Sequence, residues 1–96
     1  MRTRKTKEIK KVLSKKGFVL NPEKDHHIYY NLHVDGKKSH IQTYLSHNGQ
    51  DYNPFLMDKI KKQLKFTDSK KAEDFFDCPL TAEMYIAMLK ENGDIK

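Results

Sequence analysis

The pair Asp35-Gly36 constrains the fold of this chain more than any other stretch of its sequence. It separates "HHIYYNLHV" from "KKSHIQTYLS", two runs rich in β-branched and aromatic residues, and Asp-Gly is a pair that two-residue type I′ turns prefer. Such a turn places Val34 opposite Lys37 and so fixes the register of both strands. The sequence therefore predicts a β-hairpin at the centre of the fold.

Counting outward from this turn predicts the two faces of the hairpin. The pairs expected on the mostly apolar face are Leu32 with Ser39, Tyr30 with Ile41, Ile28 with Thr43, and His26 with Leu45. The pairs expected on the other face are His33 with Lys38, Asn31 with His40, Tyr29 with Gln42, and His27 with Tyr44. Because side chains alternate along a strand, the first face is expected to pack on helices and the second to stay open.

A helix and a short strand are predicted before the hairpin. Apolar residues from Ile9 to Leu13 recur at helical spacing, with Thr6 as the predicted N-cap. Gly17 follows two lysines, as a C′ glycine does at the end of a helix. "FVLN", residues 18–21, then reads as a short strand.

A second helix is predicted after the hairpin. Residues 46–52 read as a loop, and Asn53-Pro54 supplies an N-cap and an N1 proline for a helix over 54–66. Its apolar side is expected to hold Phe55, Leu56, Ile60 and Leu64, with Met57 nearby.

The remaining residues predict a helical extension. Residues 67–77 are expected to form a short helix, and Thr81 caps a last helix over 82–92. The order of elements predicts an α+β fold, a three-stranded antiparallel sheet with helices on one face plus the C-terminal helical extension. We expect one domain over 1–66, with 67–96 packed on it.

The charge of the chain is uneven. Of the net +6, residues 1–65 carry 15 Lys/Arg against 6 Asp/Glu, a net +9, and residues 66–96 carry 4 against 7, a net −3. A basic body of this kind indicates a polyanionic partner such as nucleic acid. Since no stretch reaches the ~20 apolar residues of a membrane span, no membrane association is expected. A single cysteine, Cys78, suits a reducing cytoplasm.

The pattern as a whole resembles one protein family. The helix before Gly17, the motif "HHIYY", the Asp35-Gly36 hairpin, and "SHNG" before a helix ending "IKKQLKF" resemble the HicA toxins of prokaryotic toxin–antitoxin pairs, over roughly residues 6–66. The resemblance implies a double-stranded-RNA-binding-domain-like fold. It also implies a small mRNA-cleaving endoribonuclease that uses no cofactor and is restrained by a HicB-like antitoxin.

The resemblance also implies where the catalytic residue lies. The family has a glycine, a small residue and a catalytic histidine, followed after one residue by an aliphatic and an aromatic. Asp25 takes the place of the small residue here, His26 that of the catalytic histidine, and Ile28 and Tyr29 those of the last two. "LSHNG" matches the family's second segment, which contributes His47.

RNA cleavage without a metal needs a base and an acid, and histidine titrates in the range that suits both. By the resemblance, His26 is the catalytic residue, and His47 and His27 are the candidates for a second proton carrier. The hairpin register places His26 on the apolar side and His27 on the open face, so the choice between these two stays open. No metal site is predicted, because no helical HxxxH and no CxxC is present.

Aromatic and basic side chains provide the predicted contacts with RNA. Tyrosines of the open face can stack on bases, and helix lysines can contact phosphates. The residues predicted for this role are Lys10, Lys11, Tyr29, Tyr44, Lys61 and Lys62. The competing interpretation is a cross-strand aromatic pair that stabilises the sheet, surrounded by solvated lysines.

Two other function classes stay open. Lys24 replaces the family's glycine and Asp25 stands next to His26, which favours a non-catalytic nucleic-acid-binding module on the same fold. The acidic C-terminal helix is compatible with a protein-interaction subunit. The chain is expected to be a monomer, or a weak homodimer through the helix at 82–92.

Overall fold

The computed structural model describes residues 1–21, 27–46 and 51–96. Within these ranges the elements run in the order β1 (Arg4–Lys5), α1 (Thr6–Lys15), β2 (Phe18–Asn21), β3 (His27–Val34), β4 (Lys37–Ser46), β5 (Asp51–Tyr52), α2 (Pro54–Gln63), α3 (Ser69–Asp77) and α4 (Ala82–Glu91). Strands β2, β3 and β4 form an antiparallel sheet in that order, and β1 pairs with β5. The predicted α+β class, with a three-stranded antiparallel sheet and helices, is confirmed.

The turn between β3 and β4 has the conformation that its sequence predicts. Asp35 has φ 52° and Gly36 has φ 78°, and a type I′ turn requires positive φ at both of its central residues. The first two pairs, Val34 with Lys37 and His33 with Lys38, are those counted from the turn.

The predicted register is wrong beyond His33, because β4 contains a bulge. Pairing resumes with Asn31 opposite Gln42, so the three residues from Ser39 to Ile41 lie across from Leu32. The Ser39 hydroxyl donates to the Leu32 carbonyl at 2.8 Å and accepts from the Ile41 amide at 3.2 Å, which satisfies backbone groups at the irregularity. Since the shift is two residues, the described side chains from His27 to Asn31 and from Gln42 to Ser46 keep their predicted faces.

One buried core joins the sheet to all four helices. Ile9 and Leu13 of α1 and Met57 and Ile60 of α2 are fully or almost fully buried. The buried residues of the sheet's core face are Phe18, Tyr30, Leu32, Ile41, Thr43 and Leu45. The helices therefore cover this face, as the alternation of apolar residues predicts.

Residues of the C-terminal extension belong to the same core. The ring centroid of Tyr85 lies 4.9 Å from that of Phe75, 5.3 Å from that of Phe66 and 6.0 Å from that of Phe18. Tyr85 and Phe75 are fully buried. The aromatic cluster thus connects α3 and α4 with β2.

Two buried cations attach the N-terminal elements to the C-terminal ones. Arg4 is 5% exposed, and its guanidinium donates to Glu73 at 3.2 Å and to Asp77 at 3.1 Å. Lys16 is 4% exposed, and its Nζ donates to the Leu80 carbonyl. These two residues of a basic N-terminal segment therefore have structural partners.

The predictions for the helix termini are partly right. The N-cap of α1 is Lys5, and Thr6 is the buried first helical residue, so the Thr6 cap is wrong. Gly17 has φ 94° and ends α1 as predicted. Asn53 caps α2 as predicted, with its Oδ1 accepting from the Leu56 amide at 2.9 Å.

The predicted end and apolar side of α2 need correction. The helix ends at Gln63, and Lys65 has a left-handed φ of 70°. Phe55 is 70% exposed while Met57 is fully buried. At helical spacing the sequence allows an apolar stripe that contains Phe55 and an overlapping one that contains Met57. In the structure, the stripe that contains Met57 packs in the core.

The segment from 46 to 52 is a loop only in part. Asp51–Tyr52 pairs with Arg4–Lys5, an interaction that the sequence analysis did not predict. The Tyr52 hydroxyl accepts from the Ser46 amide at 2.8 Å, which attaches this short sheet to the end of β4.

The two helices of the extension form as predicted. Ala72, Phe75 and Phe76 of α3 are buried, and the Thr81 hydroxyl caps α4 by accepting from the Met84 amide at 3.2 Å. Cys78, which follows α3, is exposed. No helix in the described ranges has both the length and the apolar character that a membrane span requires.

Candidate nucleic-acid interface

The sheet face that is turned away from the core carries a polar and aromatic array. Across its middle, Asn21 Nδ2 donates to Asn31 Oδ1 at 3.4 Å, and Asn31 Nδ2 donates to Gln42 Oε1 at 3.3 Å. Asn31 is 3% exposed, and these bonds satisfy its amide. The amides therefore form a continuous link from β2 through β3 to β4.

An aromatic cluster lies at one end of this face. The ring of Tyr44 lies 4.8 Å from that of His27 and 5.3 Å from that of Tyr29, and the rings of His27 and Tyr29 are 6.3 Å apart. The bulge determines the pairing within this cluster, because it places Tyr29 directly opposite Tyr44 and moves His27 to a position opposite Ser46. The cross-strand aromatic pair considered from the sequence is present, with a histidine added to it.

A pocket of about 230 Å³ opens beside the aromatic cluster, between the end of β4 and α2. Among the described residues, those that line it are His27, Tyr44, Ser46, Tyr52, Leu56, Lys59, Ile60 and Gln63. Aromatic rings, aliphatic side chains, an amide and an ammonium group thus meet in one small space. Such a combination suits a flat ring that carries polar atoms at its edge.

Two polar side chains of α2, Gln63 and Lys59, line the pocket. Gln63 Oε1 accepts from the hydroxyl of buried Thr43 at 2.5 Å, so the helix is bonded to β4 at this point. The Nζ of Lys59 lies 5.1 Å from the ring centroid of exposed Phe55. A cation that lines the pocket therefore lies close to an exposed aromatic ring.

Of the three histidines predicted as site residues, the structure describes one. His27 lies in the aromatic cluster and lines the pocket. The predictions for His26 and His47 fall outside the described residues. In the sequence, His26 directly precedes His27, and His47 directly follows Ser46, the residue that pairs with His27.

The four predicted lysines do not line this pocket. Lys61 donates to the Ser69 hydroxyl at 2.9 Å, and Lys62 forms an ion pair with Asp58 at 3.3 Å. Lys10 and Lys11 lie on α1, where Lys11 is exposed and Lys10 is partly buried. Tyr29 and Tyr44 are the predicted RNA-binding residues that the structure brings together.

Six of the described residues that line the pocket were not predicted as site residues, and they include two polar side chains of α2, Lys59 and Gln63. A usable signal was present, because Phe55, Lys59 and Gln63 stand four residues apart and share one side of a helix. Their closeness to Tyr44 depends on the bulge and on the packing of α2 beside β4, and neither has a local sequence signature.

Comparisons of the chain with family models, with curated proteins and with solved structures found no match. Within the described ranges, no group of three or more His, Cys, Asp or Glu side chains is arranged to hold a metal ion. The functional proposal therefore rests on the chemistry of the site itself, an aromatic sheet face beside a small pocket whose lining includes a cation.

Proposed function

We propose that this protein is a HicA-like RNA-binding ribonuclease that binds mRNA as a single strand on the open face of its sheet. The observation that carries the proposal is the cluster of His27, Tyr29 and Tyr44 beside a pocket whose lining includes Lys59. Unpaired RNA bases are recognised by stacking on aromatic rings, and nearby cations hold the backbone. A HicB-like antitoxin is the partner that this function implies.

The order of elements supports the finer fold assignment. A helix, three antiparallel strands and a second helix follow one another from α1 to α2, with the helices on one face of the sheet. This order is the one that the resemblance implies for a double-stranded-RNA-binding-domain-like fold. The extension from 67 to 96 adds two helices to it.

The proposed reaction is cleavage by the 2′-hydroxyl of the RNA itself. A base removes the 2′ proton, the oxygen attacks the adjacent phosphorus, and the bond from phosphorus to the 5′ oxygen breaks. An acid protonates that leaving oxygen, and a 2′,3′-cyclic phosphate results. We assign the base and acid roles to His26 and His47, because they are the next residues in sequence beyond the paired His27 and Ser46.

A non-catalytic RNA-binding module is the second candidate. The ring of His27 is half-buried and makes an edge contact with Tyr44 at 4.8 Å, which is the geometry of a packed aromatic side chain. Lys24 in the place of the family's glycine favours the same alternative. In this second function, His27 supplies a stacking surface.

An RNA cleavage assay in the presence of a chelator separates the two candidates. Wild type is compared with His26→Ala, His27→Ala and His47→Ala, and His40→Ala serves as the matched control because His40 is an exposed strand residue. Cleavage that is lost in His26→Ala and kept in His40→Ala supports the ribonuclease. Intact RNA that is bound in a salt-dependent way supports the binding module. If the protein neither cleaves nor binds RNA, both candidate functions are wrong.

A further inference from the structure

The pocket between β4 and α2 is matched to one small ring. Its volume of about 230 Å³ lies below the roughly 300–1,000 Å³ of pockets that enclose whole drug-sized ligands. His27 and Tyr44 form its sheet side, and Leu56 and Ile60 contribute aliphatic surface from α2. An aromatic ring in this pocket meets aromatic surface from the sheet and aliphatic surface from α2.

Gln63 is a polar group in this pocket whose amide is held by a hydrogen bond to the sheet. Its Oε1 accepts the hydroxyl proton of Thr43, which is fully buried. Since the amide oxygen takes that bond, the amide NH₂ is the part of Gln63 that remains to act as a donor. Within the described residues this NH₂ group has no hydrogen-bond partner.

Lys59 complements the amide from the same helix. It is exposed, it lines the pocket, and it stands one helical turn before Gln63. No carboxylate in the described part of the chain forms an ion pair with it. Its ammonium group is therefore available to the phosphate of a nucleotide whose base lies in the pocket.

We infer that this pocket binds one uracil base of a single-stranded RNA and that the Gln63 amide selects uracil over cytosine. The inference rests on the proposed RNA-binding function and adds a base preference to it. Uracil and cytosine have rings of equal size, but uracil presents an exocyclic carbonyl oxygen where cytosine presents an amino group. The NH₂ group of Gln63 donates a hydrogen bond to the carbonyl oxygen of uracil, whereas the amino group of cytosine is itself a donor and cannot accept that bond. Such a contact changes the binding affinity about tenfold.

The test measures base preference rather than affinity alone. Fluorescence anisotropy follows the binding of 2′-O-methyl oligouridine and 2′-O-methyl oligocytidine of equal length at one salt concentration. The 2′-O-methyl group removes the attacking hydroxyl, so cleavage cannot disturb the titration. We expect wild type to bind the uridine oligomer about tenfold more tightly than the cytidine oligomer.

Gln63→Glu is the decisive variant. A carboxylate oxygen can still accept from Thr43, but the side chain no longer donates, so the preference for uracil is expected to disappear or reverse. Gln42→Glu is the matched control, because it adds the same charge on the open face, outside the residues that line the pocket. Gln42→Glu is expected to weaken the binding of both oligomers and to leave the ratio of their affinities unchanged.

The outcomes distinguish this inference from the function on which it rests. Equal binding of the two oligomers by wild type overturns the uracil pocket and leaves RNA binding intact. A preference that persists in Gln63→Glu overturns the role of Gln63. If wild type binds neither oligomer, both the inference and the proposed RNA-binding function are wrong.

Discussion

At the scale of single residues, Tyr85 occupies an apolar core position although its hydroxyl needs a hydrogen-bond partner. Its ring is fully buried in the aromatic cluster, and its hydroxyl donates to the Leu64 carbonyl at 2.8 Å. Tyr85→Phe leaves that carbonyl without its partner and is expected to lower the free energy of unfolding by roughly 1–3 kcal/mol. Urea unfolding followed by circular dichroism measures the change.

Tyr44→Phe is the control for this prediction, because Tyr44 is 38% exposed and lies outside the core. Its effect should stay within about 0.5 kcal/mol, as for most surface substitutions. Equal losses in Tyr85→Phe and Tyr44→Phe would contradict the role assigned to the buried hydrogen bond.

Tyr85 also makes stability depend on alkaline pH. Burial raises the pKa of its phenol above the ordinary value of 10.0, and the charge of Asp94 raises it further. The fold therefore favours the neutral phenol, whereas in the unfolded chain the group ionises near pH 10. The stability that it contributes is complete below about pH 10 and is lost as the pH rises above that value.

The free energy of unfolding of wild type should thus fall more steeply above about pH 10 than that of Tyr85→Phe. All other ionisable groups are identical in both chains, so the difference between the two curves reports on Tyr85 alone. Parallel curves across this range would show that the phenol does not ionise differently on unfolding.

At the scale of elements, Arg4 attaches β1 to α3. Its side chain is 4% exposed and donates to Glu73 and Asp77, and it lies 5.2 Å from the ring centroid of Phe76. The hydrogen bond from Arg4 is the main reason that the pKa of Asp77 is lowered. Arg4→Met is expected to lower the free energy of unfolding by about 2 kcal/mol, because two charge-assisted bonds are lost while both carboxylates keep some contact with water.

Arg2→Met tests whether burial is the reason for that effect. Arg2 also reaches Asp77, but its side chain is 63% exposed, so its removal should cost less than about 1 kcal/mol. Thermal unfolding of both variants at neutral pH measures the difference. If the two substitutions are equivalent, Arg4 does not act as a buried anchor.

Elements whose signals are local could be predicted from the sequence, and those set by packing could not. The Asp35-Gly36 turn, the Asn53 cap and the C′ position of Gly17 depend on neighbouring residues alone, and all three are confirmed. The bulge at Ser39 leaves the alternation of side chains intact, so the sequence pattern gives no sign of it. A two-residue strand such as β5 has no periodicity to detect.

The same distinction separates the predictable and unpredictable parts of the candidate site. Tyr29 and Tyr44 share a face because strands alternate, and this could be predicted. The direct pairing of Tyr29 with Tyr44, and the closeness of Gln63, follow from the shift in register and from the position of α2. Both depend on contacts between residues far apart in the sequence.

At the scale of the whole molecule, the charge pattern has a partly structural explanation. Arg4 and Lys16 are buried, and Arg4 is paired with carboxylates of α3, so these cations do not contribute fully to a basic surface. Two acidic residues of the last third of the chain, Glu73 and Asp77, correspondingly serve as partners of the buried Arg4. Among the described residues, Lys59 is a cation that lines the pocket beside the aromatic cluster, and it carries the electrostatic part of the proposed RNA contact.

The contacts between residues 1–66 and the C-terminal extension predict that the whole fold depends on that extension. Phe18 and Phe66 each lie against Tyr85, at centroid distances of 6.0 and 5.3 Å, and Lys16 donates to the Leu80 carbonyl. A chain that ends at 66 exposes these rings and leaves the buried ammonium group without its partner. Because the loss of even one large core side chain costs about 3–5 kcal/mol, we expect this truncated chain not to fold cooperatively.

Proton–nitrogen correlation spectra of the truncated and full-length chains measure this directly. The truncated chain should give poorly dispersed amide signals and no cooperative thermal transition. Addition of residues 67–96 as a separate peptide should restore dispersion, because the missing rings then return without the covalent link. A dispersed spectrum and a sharp transition for 1–66 alone would instead mean that α3 and α4 cover a fold that is already complete, and that the open sheet face could bind RNA without them.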